Sequence, residues 1–89
     1  MARTSRQWTN LDKAAMQLVK ELKTQDSRDM SMRTIAKEIG VTHPRVSALL
    51  SENGAPPTVD EFSDLCILFN ANPGTVLTQA LKDIGITGE

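Results

Sequence analysis

The chain has 89 residues, of which 39% are hydrophobic and 24% are charged, and its formal net charge is −1. This length gives room for one small domain with a modest core. No apolar run approaches the roughly 20 residues that span a bilayer, and no apolar segment follows the charged N-terminus, so we expect neither a transmembrane helix nor a signal peptide. The single cysteine excludes an internal disulfide and favours a cytoplasmic location.

The chain begins with a polar stretch, and residues 1–8 predict a flexible basic arm. Trp8 ends this stretch and is expected to fix the start of the first helix onto the core, a dimer contact being the alternative. That helix is predicted from about residue 10 to residue 23, where apolar side chains recur on one face. Thr9, followed by Asp12 three residues later, has the layout of a capping box at its start.

Two short helices joined by a tight turn are predicted within residues 31–53. Ser31 has the residue type of an N-cap for the first of them, and Gly40 stands where a helix end commonly needs a left-handed residue. Thr42 is the predicted N-cap of the next helix. The apolar stripe of that helix consists of Val46, Leu49 and Leu50.

A fourth helix follows a break at Pro56 and Pro57, because neither proline can continue a helix. Thr58 and Glu61 form a capping-box pattern at its start. The apolar positions predicted for this helix are Val59, Phe62, Leu65, Cys66, Leu68 and Phe69.

The end of the chain predicts a loop at residues 70–74, a fifth helix from about residue 75, and a frayed tail at residues 85–89. The helices together form one predicted domain over residues 9–84. No segment shows the sustained alternation of a strand. The expected fold class is therefore all-α, a compact bundle of five helices.

The segment 31–50 resembles the helix-turn-helix of the lambda-repressor-like family, which includes phage repressors, Cro proteins and XRE-type bacterial regulators. The residues that carry the resemblance are Ala36, Gly40, Val41, Thr42, Val46 and Leu49. Residues 46–54 also look like the end of a phage-repressor recognition helix, and a looser likeness covers about residues 10–80. The resemblance implies a five-helix DNA-binding domain that places its third helix in the major groove.

The resemblance also implies that exposed residues at the start of the third helix meet base edges. These residues are His43, Pro44, Arg45, Ser47 and Ala48. His43 can donate to a guanine acceptor or a phosphate, and Arg45 can grip guanine O6 and N7 with two hydrogen bonds. Ser47 can bond to a base or phosphate, and Ala48 offers a methyl contact. Pro44 departs from the polar residues common in the family, and it could only pack against a thymine methyl group.

Contacts to the DNA backbone are expected from Arg33, Lys37 and the hydroxyl of Thr42. Two arginines of the arm, Arg3 and Arg6, are predicted to reach a minor groove or to wrap the duplex. The alternative for the arm is a disordered end of the chain.

The charge of the chain is unevenly divided. Residues 1–50 contain nine Lys and Arg against five Asp and Glu, a net charge of +4. Residues 51–89 contain one lysine against six acids, a net charge of −5. Because DNA affinity follows the local field at the contact face, the basic half favours a nucleic-acid partner. The acidic half is a possible surface for a protein partner.

The residues needed for catalysis or for a bound cofactor are missing from the sequence. One histidine and one cysteine give no nucleophile–base pair and too few ligands for zinc, and no glycine-rich phosphate loop occurs. Cys66 lies among apolar neighbours and is expected to be a buried thiol. Asp60 and Glu61 suit the start of a helix without any metal. We therefore expect no enzyme, no metal and no cofactor.

The expected function is that of a sequence-specific regulator of transcription, a small phage or bacterial repressor that binds double-stranded DNA in the bacterial cytoplasm or an infected host cell. The resemblance implies a homodimer on a two-fold operator with half-sites about 34 Å apart. Two alternatives stay open. One is the antitoxin of a toxin–antitoxin pair, with residues 52–89 facing the toxin. The other is a helical protein-interaction module that does not bind DNA.

Overall fold

The computed structural model describes residues 7–85, which fold into five α-helices. The helices are α1 (Asn10–Gln25), α2 (Met32–Ile39), α3 (His43–Leu50), α4 (Val59–Leu68) and α5 (Pro73–Asp83). No strand occurs between residues 7 and 85, so the predicted all-α architecture is confirmed for this part of the chain. None of its helices combines the length and the apolar character needed to cross a membrane.

Side-chain caps begin the helices where the sequence predicted them. A hydroxyl oxygen of each cap accepts a hydrogen bond from the backbone N–H three residues ahead, which satisfies a donor that the helix leaves unpaired. These caps are Thr9, Ser31, Thr42 and Thr58. The caps of α1 and α4 are complete capping boxes, since the carboxylates of Asp12 and Glu61 bond back to the cap residues.

Two details differ from the sequence prediction. Helix α5 begins at Pro73, inside the predicted loop, because the side chain of Asn72 accepts hydrogen bonds from the N–H groups of Gly74 (2.8 Å) and Thr75 (3.2 Å). Proline suits the first turn that this cap opens. Val59 was assigned to the apolar stripe of α4, but it is 81% exposed because it stands at the first position of the helix.

The core is continuous through all five helices. Helix α3 packs against α1 and α2, and α4 packs against α1, α2 and α5. The largest fully buried side chains are Met16, Ile35, Leu49, Leu65, Val19, Val46 and Cys66. Burial raises the pKa of the Cys66 thiol to about 11, so the expected buried thiol is confirmed and stays protonated at neutral pH. Ala36 is also buried, and its small side chain suits the close packing of α2 on α3.

Candidate nucleic-acid interface

The segment between α2 and α3 is a three-residue connection, and local hydrogen bonds hold its backbone. Gly40 adopts a left-handed conformation with φ of 78°, and its N–H donates to the carbonyl of Ala36 at 2.9 Å. The Val41 N–H donates to the same carbonyl at 3.0 Å. Thr42 then caps α3 through its hydroxyl oxygen, which accepts from the N–H of Arg45 at 3.3 Å. The start of α3 is therefore fixed locally as well as by its packing.

One face of α3 is turned away from the core and contains four of the five predicted base-contacting residues. His43 and Pro44 are exposed, and Ser47 and Ala48 are half-buried one turn further along. The side chains of His43 and Ser47 have no hydrogen-bond partner among residues 7–85. This set of residues, hereafter the α3 face, is therefore open to a partner from outside the chain.

Helix α2 presents two cations at a spacing of one helical turn. Arg33 and Lys37 are both exposed, and neither forms an ion pair within the described part of the chain. Residues four apart lie on the same side of a helix, so the two charges face the same region. The predicted arm contacts, Arg3 and Arg6, lie outside the described residues. Trp8, at the end of the predicted arm, packs against the core, and its Nε1 donates to the carbonyl of Gly54 at 2.8 Å.

Arg45 occupies a different position from the rest of the predicted base-contacting set. Its Nε and one terminal nitrogen donate to both carboxylate oxygens of Glu61, each at 2.7 Å. Its terminal nitrogens also donate to the carbonyls of Ala55 (2.9 Å) and Pro56 (3.0 Å). Only 22% of the Arg45 side chain is exposed. A base contact would require these bonds to break, so we revise the expectation for Arg45 and leave it out of the α3 face.

The Arg45–Glu61 pair also changes the acidity of both groups. Hydrogen bonding to Arg45 holds the pKa of the Glu61 carboxyl below its usual value, against the opposing effect of desolvation. The hydrogen bond to Glu61 likewise raises the pKa of Arg45. Both groups therefore stay charged at neutral pH, and the adjacent Glu61 carboxylate neutralises the positive charge of Arg45.

The far end of α3 is tied to α1. Gln17 donates from its side-chain nitrogen to the Glu52 carboxylate at 2.8 Å, and the Lys20 ammonium lies 3.9 Å from the same carboxylate. The sequence pattern does not indicate these contacts or the bond between Arg45 and Glu61. The capping-box pattern pointed to Glu61 for a local reason, but nothing in the sequence indicates that the same carboxylate also binds a residue 16 positions earlier.

A second feature of the surface is an apolar groove of about 550 Å³ between the first turns of α1, α4 and α5. Its lining includes Leu11, Phe62, Val59 and Leu77, and the last two are 81% and 39% exposed. The groove belongs mostly to the acidic half of the chain. Within residues 7–85, no group of three or more His, Cys, Asp or Glu side chains is placed to hold a metal ion.

Comparison with known protein families, with characterised proteins and with solved structures finds no match to this chain. Its function is therefore inferred from its own residues and their geometry.

Proposed function

We propose that the chain is a sequence-specific regulator of transcription that binds double-stranded DNA, and that α2, the turn at residues 40–42 and α3 form its helix-turn-helix. The fold would then be of the lambda-repressor-like kind, and the protein a small phage or bacterial repressor. The α3 face is the observation that carries this proposal, because it has polar groups without internal partners on the outward side of a short helix, near its start.

In the proposed mechanism, α3 enters the major groove. His43 and Ser47 donate or accept hydrogen bonds at base edges, while Pro44 and Ala48 offer apolar contact to a thymine methyl group. Arg33, Lys37 and the capped N-terminus of α3 at Thr42 bind phosphates and set the register. A promoter that overlaps the bound site is then blocked by occupancy alone.

The proposal includes a dimer because the contact surface of one copy is small. One eight-residue helix offers few base contacts, and specific protein–DNA complexes generally bury more surface than one such helix supplies. Two copies on a two-fold operator would double the contact surface. The half-sites would then be separated by one turn of DNA, about 34 Å.

A protein-interaction module is the second candidate, and the apolar groove favours it. Val59 and Leu77 expose apolar surface on the half of the chain that has a net negative charge, and exposed apolar surface is typical of a protein-binding face. The antitoxin alternative combines both candidates, with α3 on DNA and the acidic half on a basic toxin.

Selection of binding sites from a random duplex pool, followed by fluorescence anisotropy, tests the proposal. We expect a two-fold consensus that binds the native chain tightly. Ser47→Ala should lose preference at one base position, at a cost of about 1–3 kcal/mol for a good contact. Ser27→Ala is the matched control, because Ser27 is exposed in the α1–α2 loop, and it should bind as the native chain does. Failure to enrich any sequence at moderate salt would overturn the proposal and favour the protein-interaction module.

A further inference from the structure

We propose that Arg45 is a positioning residue, which fixes the orientation of α3 by joining it to the α3–α4 linker and to the first turn of α4. This inference rests on the proposed DNA-binding function, since its consequence is how accurately the α3 face meets base edges. It also replaces the role that the family resemblance implied for Arg45.

The packing of α3 shows what such a connection adds to the fold. Helix α3 contacts α1 and α2, but no Cα atom of α3 lies within 8 Å of a Cα atom of α4. The chain between them runs through Gly54, which has a φ of 71°, and then through Ala55, Pro56 and Pro57. The backbones of α3 and α4 are therefore not in direct contact. Both helices pack against α1 and α2, and the Arg45 side chain adds a direct connection between them.

The guanidinium of Arg45 makes this connection at three points. It binds the carboxylate of Glu61 through two parallel hydrogen bonds and binds two successive linker carbonyls, at Ala55 and Pro56. Glu61 Oε1 also accepts from the N–H of Thr58 at 2.9 Å, so the carboxylate is held by the cap of α4. The planar fork of an arginine suits this arrangement, because its donors point in fixed directions.

The position of Arg45 within α3 determines which part of the helix the connection holds in place. Arg45 lies in the first turn, two residues after His43 and two before Ser47. The connection therefore acts on the part of α3 that is expected to meet the bases. Hydrogen bonds to base edges tolerate only a few tenths of an ångström in length. A rotation of the first turn would therefore weaken all contacts of the α3 face together, whatever the base sequence.

The test compares Arg45→Met, Glu61→Gln and the double variant on the selected operator and on duplexes with each base pair changed in turn. Each single variant should lower affinity by a similar factor, about 3- to 10-fold, on every duplex. The double variant should bind no worse than either single variant, because both changes remove the same connection. Arg45→Lys, which keeps the charge but lacks the fork, should behave like Arg45→Met.

A direct base contact by Arg45 predicts a different pattern of affinities. If Arg45 reads a base, Arg45→Met removes the preference at one base pair, while Glu61→Gln frees the guanidinium and leaves binding intact or tighter. That pattern would overturn the inference and leave the DNA-binding proposal in place.

A measurement without DNA separates the two proposals. Residual dipolar couplings of backbone N–H groups report the angle between α3 and α4, and thermal unfolding confirms that each variant is folded. We expect Arg45→Met and Glu61→Gln to change that angle in the same direction. Unchanged couplings in the folded variants would overturn the positioning role, even if the native chain bound no duplex at all.

Discussion

At the scale of single residues, Glu61 has two functions that are normally separate. Its carboxylate completes the capping box of α4 by accepting from the N–H of Thr58, and its two oxygens accept from Nε and one terminal nitrogen of Arg45. Only 13% of its side chain is exposed. The ion pair with Arg45 requires the Glu61 carboxylate to be ionised. The free energy of unfolding should therefore depend on pH through this one group.

The pH dependence has a definite sign. The pKa of Glu61 is lowered in the folded state, so its contribution to stability is present at neutral pH and is lost as pH falls through the folded-state pKa. We expect Glu61→Gln to reduce the free energy of unfolding by about 1–2 kcal/mol at pH 7. The difference from the native chain should shrink below about pH 4, near the ordinary pKa of a glutamate.

Urea unfolding of both proteins between pH 7 and pH 3 measures this difference. Glu21→Gln is the matched control, because Glu21 is exposed on α1, and its difference from the native chain should stay small throughout. A difference for Glu61→Gln that does not change with pH would show that the carboxylate charge contributes nothing to the fold.

The contrast between Arg45 and Ser47 shows how far single residues can be interpreted from the sequence. Both were predicted to contact bases from their places in the third helix. The sequence predicted the outward direction of Ser47 because helical periodicity is a local property. The partners of Arg45 come from residues 55–61, and the sequence could not predict them because they depend on how the linker folds back over α3.

At the scale of helices and turns, the sequence predicted most helix N-termini correctly, because capping is a short-range interaction within three or four residues. Ser31, Thr42 and Thr58 cap the helices that the sequence assigned to them. The start of α5 was predicted two residues late, because the pattern of Asn72 and Pro73 was interpreted as a loop. Asparagine followed by proline predicts either a turn or a helix start, and here the Asn72 cap and the packing of α5 against α1 stabilise the helix.

Gly40, in the turn between α2 and α3, is sensitive to a small change of side chain because its backbone is left-handed. An added Cβ at Gly40 would meet no atom within 4 Å, so a substitution costs only the strain of its left-handed backbone. We expect Gly40→Ala to destabilise the fold by about 1–2 kcal/mol. Thermal unfolding should show a fall in Tm of about 4–8 °C for each kcal/mol in a domain of this size.

Gly40→Asn is the natural comparison, since asparagine tolerates the left-handed conformation better than alanine does. It should be clearly more stable than Gly40→Ala. Equal losses for the two variants would mean that crowding at the turn, and not backbone strain, limits this position.

At the scale of the whole molecule, the exposed cations of the basic half include two that lie beside the proposed interface. The exposed cations Arg33 and Lys37 lie on α2, next to α3, while the neighbouring charge of Arg45 is neutralised by Glu61. The acids of α4 and the apolar groove are on the other half of the chain. If the proposed function is correct, the field that attracts DNA should therefore depend on a few identifiable lysines and arginines, although the net charge is −1.

The salt dependence of binding measures how many of these cations touch phosphates. The logarithm of the association constant falls linearly with the logarithm of salt concentration, with a slope of about −0.9 for each phosphate neutralised. Lys37→Gln should reduce the magnitude of that slope by about 1 and weaken binding evenly across duplex sequences, because a phosphate contact carries no base preference. Lys82→Gln makes the same charge change on α5 and should leave the slope unchanged.

The comparison of these two lysines distinguishes contact from general attraction. Lys37 and Lys82 are both exposed and lie on different helices, so they share charge and solvation but not the distance to the proposed interface. If both variants weaken binding equally, the effect of Lys37 comes from the charge of the whole molecule and not from a defined phosphate contact at α2. If affinity does not depend on salt at all, phosphates are not the ligand, and the apolar groove with its acidic surroundings becomes the surface that binds a partner.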